Sequence, residues 1–328
     1  MTVIASIFLG VIPALFYASF VYWLDRYEKE PLLLIGGVFL WGAVVAAGGA
    51  FILNTGFGIG VFLATGSETA SALATGSVSA PLVEESLKGL AVLIVFLLFR
   101  HEFDNLLDGV VYAGVTALGF AATENALYIY RGFADGGVVG GIFLTFLRNI
   151  VVGWQHPFYT AFIGIGLAIS RETRHTVLKF SAPIAGWILA VFTHALHNTV
   201  AALFISTLGS LAALALVEWT GWAFMLGLIV WFIFRERKFL EEYLKEEIEL
   251  GTISEKQYKT ATSALSSGMA RFNALSAGKF GPTNRFYQQL AELAHKKRQV
   301  TVLNEEKAEA TIDKLRAEIA GLSGKVLA

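Results

Sequence analysis

The sequence predicts an all-α, polytopic membrane helix bundle of about seven transmembrane helices, followed by a helical cytoplasmic C-terminal tail. Three observations carry this. Apolar residues make up 55% of the 328 positions and charged residues only 16%, where an ordinary soluble domain has about a quarter charged. Apolar runs of spanning length recur along the first two thirds of the chain. Lys and Arg gather between alternate runs, and from Arg235 onward the composition becomes strongly charged.

A crossing takes roughly 20 apolar residues in a helix, which selects residues 3–24, 31–53, 78–99, 109–130, 141–170, 180–205 and 212–234. The first run reads as a retained span, because no basic residue precedes it and it is too long for a signal-peptide core. Residues 54–77, rich in Gly, Ser and Ala and free of Lys and Arg, read as an outer loop or, over 57–66, as a re-entrant piece. The fifth run is long enough to include a broken or interfacial portion. Arg26 and Lys29 follow the first span, Arg100 the third, Arg171, Arg174 and Lys179 the fifth, and Arg235, Arg237 and Lys238 the seventh; the alternate loops hold only Arg131. Basic loops stay cytoplasmic, so the N-terminus is expected outside and the C-terminal tail inside a cell membrane.

The expected division is a transmembrane domain over 1–234 and a cytoplasmic helical tail over 235–328. In the tail, Ser254 and Gln257 have capping-box spacing, and Ile312, Leu315, Ile319 and Leu322 repeat with helical period. This reads as a small solvated helical module whose partner is unknown. The formal net charge of -1 offers no basic field for nucleic acid. The chain has no cysteine, which excludes disulfides, thiolate metal sites and cysteine nucleophiles.

An ionisable side chain at mid-membrane costs about 2.5–3.5 kcal/mol on insertion scales, so those inside apolar runs identify candidate function. In the third span, Glu84 and Glu85 precede Lys88 at helical spacings that let the lysine pair with either acid. Two adjacent carboxylates in a poor dielectric do not both ionise cheaply, the condition general acid–base chemistry exploits; a plain Glu to Lys tie between helices would explain only one of them. The fourth span carries Gly119, a site of close helix approach, then Glu124 and Asn125. The fifth contains Arg148, His156 and Pro157, and the sixth His194, His197 and Asn198. A lone membrane histidine or glutamate more often makes one interhelical hydrogen bond. Here Glu84, Glu85, Glu124, His194 and Asn198 fall at similar depth, roughly 10–16 Å below the outer surface at 1.5 Å per residue. Independent structural bonds have no reason to agree in level.

These residues resemble the PrsW family of intramembrane proteases, itself similar in motif layout to CAAX prenyl endopeptidases and bacteriocin-immunity membrane proteases. The resemblance runs through Glu84-Glu85-Ser86-Leu87-Lys88, Gly119-Phe120 with Glu124-Asn125, Arg148 with His156, and His194 with Asn198, and covers roughly residues 1–234; the loop Asp25-Arg26-Tyr27-Glu28-Lys29-Glu30-Pro31 also looks familial. His197 occupies a position that the family fills variably. The resemblance implies hydrolysis of a peptide bond in a membrane-anchored protein, of the site-1 type, and the counted depth sets the expected site in the outer half of the bilayer. Glu84, Glu85, Glu124, His156, His194 and Asn198 are its expected catalytic set, with Lys88, Asn125, Arg148 and His197 in support. One glutamate would activate water, another acid would orient the water or protonate the leaving amine, and His156, His194 and Asn198 would stabilise the oxyanion. If zinc is the cofactor, Glu124, His156 and His194 are its expected ligands; a metal-free glutamic mechanism is the alternative, and the His-Glu-x-x-His spacing typical of zincins is absent. Against this stand a proton- or ion-coupled transporter, which would favour a repeat and a midplane site, a seven-helix receptor, and a non-catalytic scaffold.

Overall fold

A computed structural model describes residues 2–25, 27, 29–204, 208–303 and 309–326. The described residues are helical with no strand, arranged as the expected all-α membrane bundle. The chain divides into two compact units, residues 1–23 with 30–227, and residues 24–29 with 228–328.

In the first unit, α1 (Thr2–Leu24) is followed by α2 (Leu32–Leu40), a π-helical turn at Trp41–Ala46 and α3 (Ala47–Thr65). The last three form one helical run, Leu32–Thr65. Residues 54–65, read from sequence as loop or re-entrant segment, therefore continue a regular helix. It ends at Gly66, whose φ of 65° turns the chain into α4 (Glu68–Ala74), capped by Ser67 and tied back by the Ser71 hydroxyl donating to the Gly58 carbonyl at 2.7 Å. A second π-helical turn, Thr75–Ser79, leads into α5 (Ala80–Leu98). Of the Asp25 to Pro31 motif, Arg26 and Glu28 lie outside the described residues; Glu30 is buried and accepts a hydrogen bond from Tyr112.

Asn105 and Asp108 form a reciprocal capping box at the start of α6 (Leu106–Phe146). The small residue expected to admit a neighbouring helix does so: a Cβ on Gly119 would sit 2.0 Å from the Phe39 carbonyl oxygen. At Gly137, φ 58° and ψ −150° fall in a region essentially closed to other residues, and α6 folds back on itself there. The returning arm passes Gly132 at Gly140, enters a third π-helical turn at Leu147–Val151 and breaks before α7 (Gln155–Glu172). Contacts of Gly132 with Gly140, Asn125 with Asn149 and Gly109 with Gly164 make both pieces antiparallel to the first arm. The fifth predicted span is thus a broken helix. α8 (Thr176–Phe204) and α9 (Leu208–Glu249) follow.

Among the described residues four helical stretches are long and apolar enough to cross a membrane, Thr2–Leu24, Leu32–Thr65, Leu106–Glu172 and Thr176–Leu203. The third, at 67 residues, holds both arms about Gly137. α5 is 19 residues long, of spanning length, but carries Glu84, Glu85 and Lys88.

The second unit contains α9 from Leu228 on, α10 (Glu255–Ala261), α11 (Ala264–Ser276), α12 (Phe280–Leu303) and α13 (Glu309–Ser323). Its core includes Leu240, Leu244, Phe286, Leu290, Leu293, Leu315 and Ile319. The capping box forms as spaced: Ser254 Oγ accepts from the Gln257 amide, and Gln257 Oε1 accepts from the Ser254 amide. Ile312 and Leu322 pack on the same core as Leu315 and Ile319.

Candidate active site

The polar residues of α5 sit where helical geometry projects them into the bundle: Glu84, Glu85 and Lys88 are all buried. The two glutamates have unlike surroundings. Glu85 is fully bonded, accepting from Lys88 Nζ at 2.5 Å, Thr160 Oγ1 at 2.8 Å and His194 Nδ1 at 2.9 Å. Glu84 has no close partner. Asn54 Nδ2 lies 3.5 Å from its Oε1, Lys88 Nζ and His194 Nε2 each lie 3.9 Å from its Oε2, and Oε2 is buried without a hydrogen bond.

Lys88 also approaches His156 Nδ1 at 3.2 Å. An ammonium has only donors, so Nδ1 accepts and Nε2 carries the proton, which it donates to Glu124 Oε2 at 2.8 Å. In the same way, His194 gives its Nδ1 proton to Glu85 and turns an Nε2 lone pair toward Glu84. Both tautomers follow from the hydrogen-bond network. Glu124 is held a second time by Arg148, whose Nε donates to Asn125 Oδ1 at 2.8 Å and whose guanidinium lies over the Tyr128 ring.

Glu84, His156 and His194 each place one donor atom within 4.8 Å of the others, the one such group among the described residues. Glu84 thus stands where Glu124 was expected in a metal-binding trio; the Glu124 carboxylate is taken up by Arg148 and His156. Two imidazoles and a carboxylate are the donors of many catalytic zinc sites, which leave a position open for water. The unbonded Oε2 of Glu84 and the Nε2 lone pair of His194 fit that use. Both ring nitrogens of His156 are engaged, by Lys88 and Glu124, so His156 would join such a set by giving up one of those bonds.

All three residues line a cavity of about 1110 Å³, walled on one side by Ala47, Gly48, Ala50 and Phe51 of α3. Asn198 lines it too, but its amide donates to the Gly76 carbonyl at 2.9 Å, holding the π-helical turn before α5 and not joining Glu84. His197 lies apart from the trio, bonded to Glu218 Oε1 at 2.5 Å and to Gln155. Sequence reasoning passed over Glu218, a buried acid in the last apolar run whose presence there was itself the signal. It also missed Asn54, Thr160 and Tyr159. The Tyr159 ring stacks on His194 at 4.8 Å, and its hydroxyl is buried without a partner. No pattern in the sequence marks that tyrosine.

Comparison with known proteins adds a second line. Residues 30–234, more than half of the chain, match the model of the PrsW family intramembrane metalloproteases. The chain belongs to the PrsW family. It is 29% identical over 191 residues to a protein named Protease PrsW from Geobacillus kaustophilus, covering 58% of this chain and 76% of that one. It is 29% identical over 194 residues to Protease PrsW of Oceanobacillus iheyensis, covering 58% and 79%. Protease PrsW of Bacillus subtilis is 33% identical over 173 residues, covering 51% and 69%. No solved structure matches the chain. This PrsW family member is an integral membrane protein and an intramembrane peptidase; the comparisons lend no support to the transporter reading.

Proposed function

We propose that the chain hydrolyses a peptide bond of a membrane-anchored protein inside the cavity, with Glu84 as the carboxylate that handles the attacking water. The observation that carries this is the contrast between neighbours. Both oxygens of Glu85 are hydrogen-bonded, whereas Glu84 keeps a buried, unbonded oxygen on the cavity wall. Glu85 then acts through His194, fixing its tautomer and ring plane as carboxylates do for metal-bound or basic imidazoles. Lys88 offsets the acids and keeps His156 in one tautomer.

Glu84, His156 and His194 would hold a divalent metal, zinc by their donor types. Bound there, it would polarise the scissile carbonyl and acidify water. Glu124, within hydrogen-bond reach of His156 and kept in place by Arg148, is the carboxylate placed to accept the water proton when Glu84 is engaged and to return it to the leaving amine. The Tyr159 hydroxyl, buried and unbonded, is set to donate to the oxyanion. Asn198 acts on the site by holding the Thr75–Ser79 turn.

The Lys and Arg distribution supports an outside N-terminus and a cytoplasmic tail, and the depth of the polar level supports cleavage toward the extracytoplasmic face. The test is cleavage of single-span reporter proteins by purified protein, with and without a chelator. Cleavage that stops with chelator and returns with zinc supports the metal set. Cleavage that ignores chelator but is lost in Glu84→Gln supports the glutamic mechanism, and undiminished cleavage in that variant overturns the site.

A further inference from the structure

Helix α11 is amphipathic in the wrong sense for a solvated helix. Its buried positions are the small residues Ser267, Ala270 and Ala274, while Leu265, Met269, Phe272 and Leu275 are 75%, 56%, 74% and 57% exposed, and Phe280 just beyond is 41% exposed. Leu265, Met269 and Phe272 follow at i, i+4 and i+7, so they share one face. A water-facing helix has no physical reason to send its bulky apolar side chains outward and its small ones inward. A contiguous apolar patch of this kind marks a surface that meets something other than water.

The charge pattern around it indicates what. From Lys256 to Ala291 the chain has no Asp or Glu, but it has Lys256, Lys259, Arg271, Lys279 and Arg285. Lys259 is paired with Glu255 and Arg285 with Glu318. Lys256 and Lys279 are exposed and have no carboxylate partner among the described residues, and Lys279 adjoins Phe280 at the edge of the patch. An apolar face with an unpaired cation at its edge, in a basic stretch free of acids, is the composition of helices that lie in the headgroup region of anionic membranes. This chain is itself a membrane protein, so such a surface is always at hand. We infer that the α11 face, Leu265 to Phe280, docks on the anionic lipid surface of the bilayer in which the protein is embedded.

The absence of cysteine allows a direct test on the full-length protein. A Met269→Cys variant carries one environment-sensitive fluorophore, and Lys314→Cys, on an exposed position of α13, is the control. Both are reconstituted in nanodiscs of phosphatidylcholine alone or mixed with phosphatidylglycerol. The expected result is quenching of the Met269 label by nitroxide-bearing lipids in anionic discs, weaker quenching in neutral discs, and none at Lys314. Adding Leu265→Glu and Phe272→Glu, both at exposed positions, abolishes it while helicity by circular dichroism is unchanged. A Met269 label that stays open to an aqueous quencher in anionic discs overturns the inference. So does protection that persists in dilute detergent, which would place a protein partner or a second copy on this face.

Discussion

Replacing Glu84 and Glu85 by glutamine one at a time separates chemistry from architecture at adjacent positions. Glu85 accepts three hydrogen bonds at 2.5, 2.8 and 2.9 Å and is the close counter-ion of Lys88, itself fully buried. Removing one partner of a buried pair costs about 3–5 kcal/mol, which at about 2–4 °C per kcal/mol lowers the unfolding midpoint by about 6–20 °C. Glu84 has contacts at 3.5, 3.9 and 3.9 Å only, at or beyond the limit of a useful hydrogen bond. Glu84→Gln is expected to shift stability by less than about 1 kcal/mol while lowering turnover about 10²–10⁴-fold, the share of a general acid–base group. The assay pairs thermal unfolding in micelles, followed by tryptophan fluorescence, with reporter cleavage on the same preparations. A Glu84→Gln protein that melts as low as Glu85→Gln, or that cuts at the parental rate, would refute the division of roles.

Tyr159→Phe keeps the ring stacked on His194 and removes only the hydroxyl; kcat is expected to fall about 10²–10³-fold with KM little changed, read from steady-state kinetics. Gly137→Ala places a side chain at a backbone conformation only glycine tolerates, and should cost about 1–3 kcal/mol, measured as a lower unfolding midpoint with cleavage reduced in parallel. In the tail, burial pushes the Glu247 carboxyl up, but hydrogen bonds from Arg316 and Lys297 outweigh it and the net shift is downward. A carboxyl lowered in the folded state stabilises above its unfolded value of about 4.3 and loses that contribution as pH falls through the folded value. Hydrogen exchange of α13 should therefore accelerate as pH drops below about 4, once corrected for intrinsic rates, and Glu247→Gln should remove that dependence.

The residues that could be read from sequence were those that violate their surroundings. Glu84, Glu85, Lys88, Glu124, Arg148, His156 and His194 are costly in lipid, and the structure joins all but Glu84 in one hydrogen-bonded group, with Glu84 3.9 Å from Lys88 and His194. Glu218 obeys the same rule and was simply overlooked. Tyr159 and Thr160 violate nothing, since an aromatic ring or a hydroxyl in an apolar helix is unremarkable, and only three-dimensional placement reveals them. Asn198 was expected at the oxyanion, and its bond to the Gly76 carbonyl was not legible, because helical spacing gives a side chain's direction but not the acceptor it meets. The reversal at Gly137 falls between the fourth and fifth runs, 109–130 and 141–170, where the sequence reads as a turn; hydropathy did not show that helix reaches it from both sides.

The bonds that satisfy α5 also set an order of assembly. Glu85 finds Thr160 and His194 on segments 75 and 109 positions later in the chain, and Lys88 finds His156, 68 positions later. Until those segments are made, the newly inserted helix has only its internal Glu85 to Lys88 pair, and each charge left in lipid costs a few kcal/mol. A ribosome still synthesising the chain therefore carries a bundle that is both unsettled and lacking His194. The proposed hydrolytic centre and the partners of its central helix are thus completed together, and a chain stopped before His194 is expected to lack both.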